Sequence, residues 1–374
     1  MSNNLFNTES LLFTPAIPES NAIPIIFAFP NEYSVGITSL GYQVVWATLA
    51  MRSDLQVSRL FTDINEPLPK QAELFGFSLS WELDYVNIFD ILESWEIPIR
   101  AKNRCGKNYP IIFGGGPVFT ANPEPFADFF DVILLGDGEN LLGYFIEAYK
   151  EVRGAEKQVQ LKRLSQVPGV YIPSLYEVTY EGTNGAIKSI EPIDKDIPAV
   201  LQKQTYRGNS LSASTVVTEK AAWENIFMVE VVRSCPEMCR FCLASYLTLP
   251  FRSASLEGSL IPAIARGLTV TKRLGLLGAS VTQHPEFESL LDYLSQSKYD
   301  DIRLSIASVR TNTVTEKLAK ILANRDTKSI TIAIESGSDR LRRIINKKLE
   351  NEEIIQAAIN AKAGGLKGIK FYGM

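Results

Sequence analysis

The chain has 374 residues, 45% of them apolar and 21% charged, an ordinary globular composition with room for two or three domains. A net charge of −4 excludes an overall field that would draw it to nucleic acid or to anionic membranes. No apolar run reaches the ~18 residues of a membrane helix, the first ten residues carry neither a basic region nor an apolar signal core, and four cysteines make no disulfide framework, so a reducing, cytoplasmic setting is expected.

In chain order, short apolar runs at 23–29, 57–61, 74–80, 111–113 and 132–135 read as strands. Segments 36–50 and 84–95 show apolar residues three and four apart and read as helices, as does the stretch ending near Val152. Strands alternating with helices predict a parallel, doubly wound, Rossmann-type sheet over 1–153. Ligands of such sheets lie beyond the carboxyl ends of the strands. Ser78, Ser80, Gly114, Gly115, Gly116, Gly136 and Gly138 fall there. The stretch 154–222 is polar and holds prolines at 168, 173, 192 and 198. It reads as a linker with a small β-element, hairpin-like over 169–180. From 223 to 374 the strands are expected at 226–232, 273–277, 302–306, 329–334 and 368–372, with helices between them. This is the order of a (β/α) barrel. A full barrel takes about 250 residues, and the stretch from Ile226 to Met374 falls well short. The barrel is therefore expected to be partial and truncated after about its fifth strand. Its edge would then be open to self-association, and another segment or subunit would complete it.

The most informative feature is Cys235-Pro-Glu-Met-Cys239-Arg-Phe-Cys242, directly after the first strand of this second region. Four-iron clusters normally take four cysteine thiolates. Three in so short a loop would ligate three irons and leave the fourth open to a small molecule. Ferredoxin patterns separate their first two cysteines differently. Zinc sites pair two such units or add histidines, whereas the only histidine, His284, stands alone and reads as a surface residue. Cys105 reads as a free surface thiol.

With an aromatic just before its last cysteine, this loop resembles the cluster loop of radical S-adenosylmethionine (SAM) enzymes. The upstream half resembles the cobalamin-binding-type domain often fused to them. The likeness runs from about Ile23 to Met374 and is greatest to a poorly characterised subgroup. It implies a [4Fe-4S] cluster on Cys235, Cys239 and Cys242. It also implies SAM chelated to the open iron, and reductive cleavage of SAM to a 5′-deoxyadenosyl radical that abstracts hydrogen from a substrate. Phe241 would shield the cluster, and Arg233 and Arg240 would offset its charge unless they are simply solvated. Further SAM contacts would come from Gly278 and Ala279, where the family's glycine-rich turn lacks its acidic residue here. Ser308 and Arg310 would follow the third strand, with the guanidinium suited to the SAM carboxylate. Glu335 and Ser336 stand in Glu-Ser-Gly-Ser, with helix capping as the competing explanation.

In the first domain, Gly114–Gly116 and Gly136-Asp-Gly-Glu139 match the cobalamin-type pattern. The resemblance implies corrin contacts at Ser78, Ser80, Gly114, Gly115, Gly116, Gly136 and Gly138. The family's DxHxxG histidine has no counterpart, which leaves two alternatives: cobalamin bound without a histidine ligand, or a degenerate domain that binds none. Cobalamin would direct the reaction to methyl transfer or rearrangement. Methylthiolation of RNA or protein is a second reading, weakened because only Cys105 stands where that family holds a further cluster. A non-catalytic iron–sulfur sensor or carrier is a third. An electron donor such as flavodoxin or ferredoxin is implied, and the substrate is unspecified.

Overall fold

A computed structural model describes residues 5–105, 109–183, 185–306 and 309–374. The chain divides into two compact units, 13–206 and 1–12 with 207–374. Most of the stretch read as a linker thus belongs to the first unit.

The first unit is built on six strands: β1 (Ile23–Ala28), β2 (Leu55–Leu60), β3 (Leu74–Ser78), β4 (Ile111–Gly115), β5 (Val132–Leu134) and β6 (Val170–Tyr171). Their order is β2-β1-β3-β4-β5-β6. The first five are parallel. Their near-continuous apolar runs are what strands buried on both faces require, and Ile25, Ile26, Phe75, Ile112 and Ile133 are fully buried. The sheet is mixed, not wholly parallel, because β6 runs antiparallel to β5. The hairpin expected over 169–180 does not form. Val170–Tyr171 joins the central sheet, and Tyr176–Tyr180 pairs instead with Ile187–Pro192. Pro173 opens a 3-10 turn between them; its fixed φ and missing N–H suit it to that turn and not to a hairpin ladder.

In the second unit, β7 (Ile226–Glu230), β8 (Arg273–Leu277) and β9 (Arg303–Ile306) form one parallel sheet. A second parallel pair is β10 (Ser329–Glu335) with β11 (Gly368–Gly373). Only a single bridge, Val309 to Ile332, spans the two sheets among the described residues. Helices follow four of the five strands. They include Phe287–Leu294, whose inward face buries Phe287, Leu290, Leu291 and Leu294, and Glu316–Ala323, capped by Thr315. All five strands deliver their carboxyl ends to the side where the cysteine loop begins.

Candidate functional site

After β7, Val232–Arg233 pairs antiparallel with Arg252–Ser253, which closes the loop carrying the three cysteines. The loop turns sharply. Ser234 and Met238 adopt left-handed φ of +70° and +54°, conformations that persist in non-glycine residues only when the surroundings enforce them. Ser234 Oγ donates to Ser245 O (3.0 Å), and Tyr246 Oη donates to Met238 O (3.0 Å). Cys239 is buried, Cys235 and Cys242 are half-buried, and none forms a disulfide. All three line one cavity of about 1000 Å³. Burial pushes the Cys239 thiol up, while Lys347 and Arg310 pull it the other way. No three His, Cys, Asp or Glu side chains among the described residues are grouped to hold a single ion. Three thiols spread along one cavity wall instead fit a polynuclear cluster, whose irons each take one thiolate. Cys105 is exposed and donates to Lys102 O, as the sequence suggests.

The rim of the same cavity carries most of the residues expected for SAM. Phe241 lines it but stays 42% exposed, so it shields the site only in part. Ala279 is on the wall. Gly278 has φ +148°, and a Cβ there would lie 2.5 Å from Val232 O; its smallness is explained by the chain's own close approach. Arg310 lines the cavity. Its Nη2 donates to Lys348 O (3.1 Å) and pairs with Glu237 (3.1 Å), while its Nε is buried without a partner. Its backbone N–H is held by Thr282 Oγ1. Glu335, with φ +65°, is buried and accepts from Lys347 Nζ at 3.0 Å. Ser336 does not line the cavity; its Oγ accepts from Ser338 N–H and its carbonyl from Arg342 Nη1. The cap of the following helix, Asp339–Ile344, is Ser338, so capping does not account for Glu335. Ser308 lies outside the described residues. Arg233 is neutralised by Glu230 at 2.7 Å, and Arg240 is tied to the carbonyls of Ile344 and Ile345; neither is simply solvated.

Sequence reasoning missed Glu237, Gln283, Asn346 and Lys347. Glu237, between two cluster cysteines, accepts from Gln283 Nε2 (2.6 Å), and Gln283 Oε1 accepts from Ser280 Oγ (2.6 Å). Asn346 Nδ2 donates to Met238 O (2.8 Å). The Glu237 signal was its place inside the cysteine loop; the others left none. His284 is corrected: it is 4% exposed, with Nε2 bonded to Ala254 O and Nδ1 accepting from Glu286 N–H. Both ring nitrogens are therefore committed to the fold.

In the first unit, the residues read as corrin contacts do gather at the carboxyl ends of β3, β4 and β5. Ser78 and Ser80 are half-buried there. Three of the glycines are explained by packing. A Cβ on Gly114 would strike Phe119 and Phe130, on Gly116 (φ +125°) the Leu79 carbonyl at 2.4 Å, and on Gly136 (φ +104°) the Gln204 carbonyl at 2.1 Å. Gln204 is stitched over that edge by Gln204 N–H to Leu135 O and Asp137 N–H to Gln204 O. Only Gly115 and Gly138 keep ordinary contact distances. Gly136→Ala is expected to cost about 1–3 kcal/mol, read as a lowered urea midpoint; an unchanged midpoint would mean the Gln204 segment steps aside freely.

Residues 229–374 match the radical SAM superfamily, and residues 42–173 match the N-terminal region of radical SAM proteins. The chain belongs to the radical SAM superfamily. It is 28% identical over 94% of its length to an uncharacterised protein of Methanocaldococcus jannaschii, covering 69% of that protein. It is 23% identical over 83% of its length to an uncharacterised methyltransferase of Pyrococcus horikoshii, covering 62% of it. Its fold is similar to that of the cobalamin-dependent SAM radical enzyme OxsB solved with aqua-cobalamin and SAM, with TM-score 0.59 and 16% identity over 93% of this chain. It is also similar to the radical SAM methyltransferase TsrM of Kitasatospora setae solved with cobalamin and a [4Fe-4S] cluster, with TM-score 0.61 and 13% identity over 93% of this chain. The chain spans 49% of OxsB and 66% of TsrM.

Proposed function

We propose that the chain is a radical SAM enzyme whose [4Fe-4S] cluster is held by Cys235, Cys239 and Cys242. The observation that carries this is one cavity lined by all three thiols, by the Glu335 carboxylate and by Arg310, whose Nε is buried without a partner. When bound, the cluster supplies an open iron for SAM and the electron that cleaves it to a 5′-deoxyadenosyl radical. The protein's own part is positional. The Thr282 and Glu237 contacts hold Arg310 at the cavity wall, where its guanidinium would meet the SAM carboxylate. The turn Leu277-Gly278-Ala279 brings backbone close to the methionyl end. Phe241 and the buried Cys239 limit water at the cluster.

The substrate would lie in the rest of the cavity, and an electron donor of the flavodoxin or ferredoxin type would reduce the cluster. No helix among the described residues is long and apolar enough to cross a membrane; a cytoplasmic location belongs to this proposal. The deciding experiment is anaerobic reconstitution, reduction and addition of SAM. A changed electron paramagnetic resonance spectrum and release of 5′-deoxyadenosine are expected. A spectrum indifferent to SAM would leave an iron–sulfur carrier or sensor.

Cobalamin enters through the likeness of fold to OxsB and TsrM, and methyl transfer through TsrM and the Pyrococcus relative. The sole histidine is buried in the second unit with both nitrogens engaged, so no imidazole is free to ligate cobalt. Cobalamin taken up by the protein should therefore show no imidazole nitrogen coupling in its reduced cobalt spectrum. Such coupling would contradict the ligand assignment, and failure to take up any corrinoid would favour a degenerate domain with SAM-only chemistry.

A further inference from the structure

The segment after the helix Asp339–Ile344 returns to the cysteine loop from about a hundred residues away. Asn346 and Lys348 adopt φ of +57° and +47° on either side of Lys347, Ser234 and Met238 are left-handed next to the cluster cysteines, and left-handed Glu335 lines the cavity itself. Strained backbone of this kind collects where geometry is over-determined for function. The segment grips the loop at two points and Arg310 at a third. Arg240 N–H donates to Ile345 O (2.9 Å), Asn346 Nδ2 donates to Met238 O (2.8 Å), and Arg310 Nη2 donates to Lys348 O (3.1 Å). At its centre, Lys347 lines the cavity with the three thiols. Its ammonium lies 3.0 Å from Glu335 Oε1 and 5.9 Å from the centre of the Phe241 ring. The pair is largely removed from water, with side chains 13% and 10% exposed. Exposed ion pairs do little. A pair this sheltered acts at low effective dielectric, where loss of one partner leaves the other uncompensated.

We infer that Lys347 is a positioning residue: it fixes the Glu335 carboxylate and presents a positive charge to the thiolate loop. This rests on the cluster-and-SAM reading above. Reduction adds negative charge to a cluster already anionic from its thiolates. A cation held beside it stabilises the reduced form, since charge and exposure set cluster potential. The same ammonium, by orienting Glu335, couples the loop to the carboxylate expected to meet SAM.

The test uses the reconstituted protein with wild type, Lys347→Met, Lys347→Arg and Arg343→Gln. Arg343 is 71% exposed and serves as the charge control. Iron content is measured first, then the cluster midpoint potential by spectroscopic redox titration, then the SAM dissociation constant. Lys347→Met is expected to retain iron, move the potential to a more negative value and weaken SAM binding. Lys347→Arg should restore most of both, and Arg343→Gln should leave both unchanged. Combining Lys347→Met with Glu335→Gln should weaken SAM binding no further than the stronger single variant, because the two act as one unit. An unchanged potential in Lys347→Met, an equal shift in Arg343→Gln, or fully additive losses would overturn the inference while leaving the cluster reading intact. A wild-type protein that assembles no SAM-responsive cluster would overturn both.

Discussion

Alanine at any one of Cys235, Cys239 or Cys242 is expected to abolish SAM cleavage, while Cys105→Ala leaves it intact. A cubane with three protein ligands has no spare thiolate in this unit. The fourth cysteine is exposed on the other unit and engaged with the Lys102 carbonyl. Loss of one thiolate leaves two of the four irons without protein ligands, so the cluster should not survive. Anaerobically reconstituted wild type should hold about one four-iron cluster per chain, since the loop can build only one. The measurements are iron and sulfide content, the reduced-cluster spectrum and 5′-deoxyadenosine release. Loss of the cluster in the Cys105 variant, or its retention in any of the other three, would show that the ligands are wrongly assigned.

Arg310→Lys should bind SAM roughly tenfold to hundredfold more weakly with the cluster retained. The guanidinium divides its work. Nη2 is taken by Glu237 and the Lys348 carbonyl, while the residue lines the cavity that the three thiols share. Lysine keeps the charge that offsets Glu237 but loses the planar fork and its second donor. A hydrogen bond to a charged group is worth about 1.5–3 kcal/mol, and about 1.4 kcal/mol is tenfold in affinity. Equilibrium dialysis of labelled SAM against reconstituted protein reads the effect. A dissociation constant equal to that of wild type would remove Arg310 from the SAM site.

The residues behind these two predictions differ in how plainly the sequence shows them. The cluster loop is legible because its ligands lie within eight residues, so chain geometry alone keeps them together. Gly278, Ala279, Arg310 and Glu335 are legible at second hand. Alternation of strand and helix makes the strands parallel, and parallel strands deliver their carboxyl ends to one side. Lys347 is not legible: in Asn346-Lys347-Lys348 it reads as part of a solvated charge run. Its role exists only because the chain returns to pair it with Glu335 and set it over Phe241.

What the sequence determined by itself was local or periodic: the alternation that builds each unit, the apolar strands that bury both faces, and the cysteine spacing. Only the tertiary structure decided the rest. It turned β6 antiparallel to β5, the chain re-entering the sheet at the carboxyl end of β5 after the helices Gly138–Glu151 and Lys157–Leu164. It laid the Gln204 backbone over Gly136, which gives that glycine a reason without a ligand. It buried His284 by giving both ring nitrogens backbone partners. It set Glu237 against Arg310 and Glu335 against Lys347. Each of these depends on which distant segments meet. A polar side chain carries no mark in the sequence of the partner that will later satisfy it, since burial and pairing are properties of the folded surroundings.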